Sequence, residues 1–229
     1  MSFLDQLKQQ AQARQAQDRQ DHAEIERRMG MTEAACAGAW RYLNDLGRQL
    51  DVLQPVSRQR YMIDARCVVE GLPMVDFVGD IRKQRVQLGP LAERDLVHHV
   101  VLRATLRSGR EVELSKDFPP EIEKLEGRLA QAGIQCLGER ERDAESGHFR
   151  AMHYRFSPDI VLAVRVLPLH DEGQLRFEVQ NLDGLSTVSA SFAAAEVTSA
   201  RLDELAKWWV GEPHRFLDGA LAVRRQEPL

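Results

Sequence analysis

The chain predicts an α+β fold, with an N-terminal helical region, then an extended antiparallel sheet and helices packed on one side. Three observations predict it. Apolar residues from Ile25 to Leu53 recur at alternating steps of four and three, which places them on one helical stripe. After Pro55 the apolar period switches from 3.6 to 2, as strands require. Short turns join the strand-like runs, and short connections favour antiparallel pairing.

Residues 1–55 form the helical region. Its first part, 8–22, is a polar arm. Six glutamines lie from Gln9 to Gln20, with alanines, arginines and one aspartate. These are mostly good helix formers, but they offer almost nothing to bury, so the arm is expected to project or to be ordered by a partner. Phe3, Leu4 and Leu7 cluster on the first turn, fit to dock locally or to touch a partner or a membrane surface.

The stripe 25–53 comprises Ile25, Met29, Thr32, Cys36, Ala39, Leu43, Leu46, Leu50 and Leu53. Two readings follow. The stripe pairs with a second copy as a coiled coil, or it lies on the chain's own sheet. Thr32, Cys36 and Ala39 are small, and Gly30, Gly38 and Gly47 each weaken a helix by about 1 kcal/mol relative to Ala. Such residues suit close approach to a flat surface. Gly30 as C′ and Thr32 as N-cap favour a break and a helical hairpin. Pro55 ends the region.

Residues 56–137 read as four strands and a helix. In 59–70, Tyr61, Ile63, Ala65, Cys67 and Val69 alternate with polar residues, as in one half-buried strand. A second strand runs from Val75 to about Leu88, and Gly89-Pro90 breaks it. The third spans Leu96–Leu106. Ser108-Gly109 predicts a tight hairpin into Arg110–Leu114. Pro119-Pro120 opens a helix that Gly133 closes.

A charged connector, 138–147, separates this half from a second, 148–218, with the same order of four strands and a helix. The matching order raises the prospect of two ββββα halves, although residue identities show no repeat. Residues 219–229 are expected to be a loosely held tail.

Composition excludes more than it assigns. The 229 residues carry a net charge of −4 and 43% hydrophobic residues, enough apolar content for a sizeable core and no global basic excess for nucleic acid. Cys36, Cys67 and Cys136 are odd in number and far apart, so neither a disulfide framework nor a cysteine zinc site is indicated. No apolar run suits a bilayer span and no secretory leader pattern is visible, so the cytoplasm is the expected location. His98 and His99 are expected on opposite faces of a strand, and no histidine has metal-ligand spacing. No nucleophile elbow or phosphate loop occurs. No cofactor or metal is implied, no catalytic residue is named, and an enzyme is the least supported class.

Two candidate surfaces remain. Arg82, Lys83, Arg85, Arg94, Arg103, Arg107 and Arg110 face only Glu93 and Asp95 in the same segment. On the third strand His99, Arg103 and Arg107 share a face, joined by Arg60 and Arg66 from a neighbouring strand. This ligand-binding set suits a small anion or, less favoured, nucleic acid. The plain alternative is a solvated face with ion pairs to Asp64, Glu70 and Glu113. The interface set is Ile25, Met29, Leu43, Leu46, Leu50 and Leu53, with Trp208; of the adjacent Trp208 and Trp209 one is core, and the other either anchors a partner at the margin or, the favoured reading, makes a second core contact. The leading expectation is a non-catalytic interaction or assembly protein whose N-terminal helices dock a protein partner or a second copy, as in a homodimer. The anion-binding module is the alternative.

Overall fold

The computed structural model describes residues 3–87, 89 and 91–228. It is an α+β structure with antiparallel sheets throughout. Helix α1 spans Phe3–Leu53 without interruption. The expected break at Gly30 does not occur. Thr32 is not an N-cap; its hydroxyl donates to the carbonyl of Arg28 at 2.9 Å, a back-bond available inside a helix. Contacts on both sides hold the segment straight. Arg94 pairs with Glu26, Arg28 Nη1 donates to the Asp171 carbonyl at 3.2 Å, and His170 pairs with Glu33 at 2.8 Å. The glycine cost of about 1 kcal/mol is offset by this docking.

Gly30 is exposed, and a Cβ there would meet nothing within 4 Å. Gly30→Ala is therefore expected to stabilise the fold by about 1 kcal/mol, measured as a rise in the denaturant midpoint. No change would mean that the helix is not continuous in solution.

The stripe lies on the chain's own sheet. Thr32, Cys36, Ala39, Leu43 and Leu50 are its buried members, and Gly47, outside the stripe, is buried beside them. Small residues allow the approach. At Gly47 a Cβ would sit 2.8 Å from a Leu102 methyl, and the Trp40 ring lies over Gly79.

Eleven strands follow among the described residues. β1 (Arg60–Asp64) and β2 (Cys67–Glu70) form a hairpin, where one strand was expected. Asp64 accepts from the Arg66 amide at 3.0 Å and sets the turn. A bulge between Met62 and Asp64 restores the alternation that the two-residue turn would reverse, so Tyr61, Ile63, Cys67 and Val69 are all buried, while Ala65 is exposed in the turn. β3 (Met74–Arg85) stops before Leu88 and Pro90, which lie outside the described residues.

β4 (Asp95–Leu106), β8 (Ile160–Leu169), β9 (Gln174–Gln180), β10 (Thr187–Ala193) and β11 (Ala222–Gln226) join β3 in a six-stranded sheet of order β11-β10-β9-β8-β4-β3. Strands from both expected halves thus share one sheet, through the β4–β8 pair. A second sheet, β5-β7-β6, uses Val112–Lys116, Phe149–Phe156 and Glu139–Arg142. The expected connector 138–147 therefore supplies strand β6; its residues are nearly all polar, as suits an exposed edge.

The hairpin expected at Ser108-Gly109 does not form. β4 and β5 belong to different sheets, as do β7 and β8. The ladder pairs Leu106 with Ile160 in one sheet and Val112 with Phe156 in the other. Between them the ribbon turns a corner, held by Asp159, which accepts from the Ser108 amide and hydroxyl at 2.7 and 2.9 Å.

Helix α2 (Pro119–Ala132) ends at Gly133 in the left-handed conformation, φ 79°. It buries Leu125 and Leu129 against Ile63, Cys67, Leu114, Tyr154 and Phe156 in a smaller core. Helix α3 (Ser199–Trp209) packs beside α1 on the large sheet. Its N-cap is Thr198, whose hydroxyl accepts from the Arg201 amide. The segment 222–226, expected as tail, is strand β11. Its side chains are all exposed, so no apolar alternation announced it; backbone pairing with β10 holds it.

Candidate functional site

Two features of this fold are candidates: the free-standing half of α1 and the uncovered face of the large sheet. Residues 3–23 of α1 are exposed without exception, and contacts with the sheet and its loops begin around Ile25. That stretch extends about 30 Å beyond the body. Phe3, Leu4 and Leu7 are exposed at its far turn. At its near end Ile25 and Met29 are half-buried. The other interface candidates divide. Leu43 and Leu50 are buried on the sheet, Leu46 packs partly buried against the same core, and Leu53 is 71% exposed. Trp208 is 3% exposed, no less buried in practice than Trp209. It stacks on His214, with ring centroids 4.7 Å apart, and meets Phe216. Both tryptophans are core because the segment 214–219, which carries His214 and Phe216, folds back over α3.

The face of the large sheet opposite α1 is built by alternation. Val100, Leu102, Ala104 and Leu106 point inward and are buried, so His99, Val101 and Arg103 point outward. The register sets their neighbours. Asp80, Val101, Arg165 and Glu178 form one cross-strand row; Val78, Arg103, Ala163, Gln180 and Thr187 form the next. His99 lies opposite Arg82. These residues border a depression of about 390 Å³ floored by Val101 and Ala163. One end carries Gln131 of α2, which donates to Thr187 Oγ1 at 3.0 Å and to Asn181 Oδ1 at 3.1 Å.

A β-bulge shapes the histidine corner. Arg82 pairs with His99 and Lys83 with Val97, leaving His98 as the extra residue. His98 and His99 were expected on opposite faces. The bulge instead brings their Nδ1 atoms to 2.6 Å, one ring donating to the other. Bulges re-aim side chains in this way. Burial lowers the His99 pKa, reinforced by the Arg165 cation, while Asp80 opposes the shift. The imidazole is therefore held neutral in a locally positive field.

The five anion-site candidates are not all together. His99 and Arg103 share the depression. Arg107 stands at the corner, ion-paired with Asp76. Arg60 opens β1, exposed and opposite Glu70. Arg66, in the hairpin turn, borders a groove over the small sheet with Glu113, Ser115, His153 and Arg155. Arg165 and Arg82 are the cations that border the depression and were not in the set, along with the polar Asp80, Glu178, Gln180 and Thr187. Arg165 had a signal in the sequence, as the one charge interrupting the apolar run 160–169.

The groove over the small sheet is larger, about 770 Å³. There His153 Nε2 lies 2.6 Å from Glu141, and Ser115 sits opposite His153 in the ladder. Among the described residues no hydrogen bond joins Ser115 to His153. Arg155 is paired with Glu113. Among the described residues no group of three metal-ligating side chains gathers, and no helix is long and apolar enough to cross a membrane. No protein-family model, curated protein or solved structure matches the chain.

Proposed function

We propose that the protein is a non-catalytic assembly protein and that the projecting half of α1 pairs antiparallel with the same segment of a second copy. The observation that carries this reading is the continuity of α1. The face that the sheet covers from Thr32 onward runs on, uncovered, along the arm. At 100° per residue, Phe3, Leu7, Gln10, Arg14, Asp18, His22, Ile25 and Met29 fall within an arc of about 120° on that face.

This series complements itself when reversed. An antiparallel pair centred on Ala16 sets Phe3 against Met29, Leu7 against Ile25, and Arg14 against Asp18, each contact occurring twice. Self-complementarity is what a two-fold interface requires. The apolar contacts lie at both ends, where the exposed Phe3 and Leu7 find partly covered partners. Charge pairs at the centre set the register, as polar positions do in coiled coils. The loops that grip α1 at Glu26 and Arg28 also border a depression of about 340 Å³ walled by Leu91, Leu96 and Leu169. The Phe3 end of the second arm comes to that level.

Light scattering tests the reading. The full chain is expected at twice 26.0 kDa, and a chain lacking residues 1–22 at the single-chain mass. A full chain that stays at 26.0 kDa at the highest attainable concentration overturns the proposal.

A further inference from the structure

We infer that the open face of the large sheet is a binding site for a small phosphate monoester, with Arg103, Arg165 and His99 as its donors. This inference is independent of the arm. It begins with two like charges that the ladder forces together. Arg103 and Arg165 are diagonal neighbours on β4 and β8, flanking Val101 and Ala163. Directly opposite Arg103 stand Val78 and Ala163, neither of which carries a charge. Among the described residues neither guanidinium has a carboxylate within ion-pair distance, whereas nearby Arg82 is paired with Asp80 at 3.1 Å. Like charges side by side on a sheet are unfavourable. An anion between them removes that cost and takes charge-assisted hydrogen bonds from both.

The remaining geometry narrows the ligand. Val101 and Ala163 give a flat apolar floor for an organic body. Gln180 and Thr187 offer polar atoms at the far side. A volume of about 390 Å³ lies within the usual range for small-ligand sites. His98 completes the donor set. When its Nδ1–H donates to His99 Nδ1, the His99 proton resides on Nε2, free to donate to a phosphate oxygen. Two carboxylates border the site. Asp80 is engaged by Arg82; Glu178 lies beside Arg165 in the ladder and opposes the anion. A single-stranded nucleic acid fits less well. Among the described residues no Phe, Tyr or Trp ring lines the depression, and such stacking platforms are what single strands need.

The test is a titration of the full chain with phenyl phosphate and with inorganic phosphate, followed by calorimetry and by the His99 and arginine side-chain NMR signals. Saturable binding of phenyl phosphate is expected, tighter than that of inorganic phosphate. Arg103→Gln and Arg165→Gln are each expected to weaken it about tenfold, and Glu178→Gln to tighten it. Arg60→Gln removes the same charge elsewhere and should leave binding unchanged. Binding that does not saturate, that ignores Arg165→Gln, or that falls equally with Arg60→Gln overturns the inference. So does a single-stranded oligonucleotide that outcompetes phenyl phosphate.

Discussion

A chain that begins at Val56 is expected to stay unfolded, whereas one that begins at Ala23 is expected to fold and to melt at the temperature of the full chain diluted to a monomer. The difference follows from where α1 is buried. From Thr32 to Leu50 its inner face covers β3, β4 and β8. Leu43 and Leu50 are 0% and 5% exposed, and Trp40, Tyr42 and Leu46 pack partly buried against the same core. Facing them, Val100, Leu102 and Val164 are 0–1% exposed. Full burial of one large apolar side chain contributes about 1.5–3 kcal/mol. Uncovering several on each side of the interface forfeits on the order of 10 kcal/mol, comparable with a whole domain's net stability of about 5–15 kcal/mol. Residues 3–22 bury nothing in the single chain, and surface changes typically stay within about 0.5 kcal/mol. Near-ultraviolet circular dichroism and thermal melts of the two truncated chains decide the matter. A cooperative melt from the chain starting at Val56 would mean that the stripe is dispensable to the core.

The same helix shows how far sequence pattern reaches. The four-three spacing located the middle of the buried stripe, Thr32, Cys36, Ala39, Leu43 and Leu50, but not its ends, since Ile25 and Met29 are half-buried and Leu53 is exposed. It could not say what the stripe faces, since a coiled-coil seam and a sheet-docking face share one period. Gly30 misled for a related reason. Its local cost is real, but grips from Arg94, Asp171 and His170 come from residues distant in sequence. On the large sheet the alternation of β4 placed His99 and Arg103 correctly on one outward face. It did not place Arg107, which falls past the end of the strand, or Arg60 and Arg66, whose hairpin joins the smaller core instead. Pairing between β4 and β8 brought in Arg165 across a long sequence separation that no local pattern encodes. The bulge at His98 was equally invisible, because an extra residue is defined only by the strand opposite it.

The arm is expected to give its clearest result when two damaged chains are mixed. In the antiparallel pair, Arg14 of each copy meets Asp18 of the other. Arg14→Asp then sets two carboxylates against each other at both symmetry-related contacts. Asp18→Arg does the same with two guanidinium groups. Each variant alone should run as a monomer. Mixed together they should form a heterodimer. The aspartate introduced at position 14 of one chain meets the arginine introduced at position 18 of the other, and the remaining contact keeps the original Arg14–Asp18 pair. The design separates contacts between chains from those within one. Arg14 and Asp18 are also four apart on one helix, where such a pair contributes about 0.2–0.5 kcal/mol. Mixing restores nothing within either chain, so recovery of the dimer cannot come from helix repair. A parallel pairing predicts otherwise. There position 14 meets position 14 and position 18 meets position 18, so like charges already face each other in the unaltered chain. Each variant alone would then dimerise no worse than that chain does. Relative affinity is readable by native mass spectrometry of an isotope-labelled mixture. Repulsion repeated at both symmetry-related contacts should shift the dimer equilibrium by at least about tenfold, since like-charge contacts across an interface are strongly disfavoured. Two variants that remain dimeric alone, or that fail to pair when mixed, would remove the antiparallel arm as the assembly element.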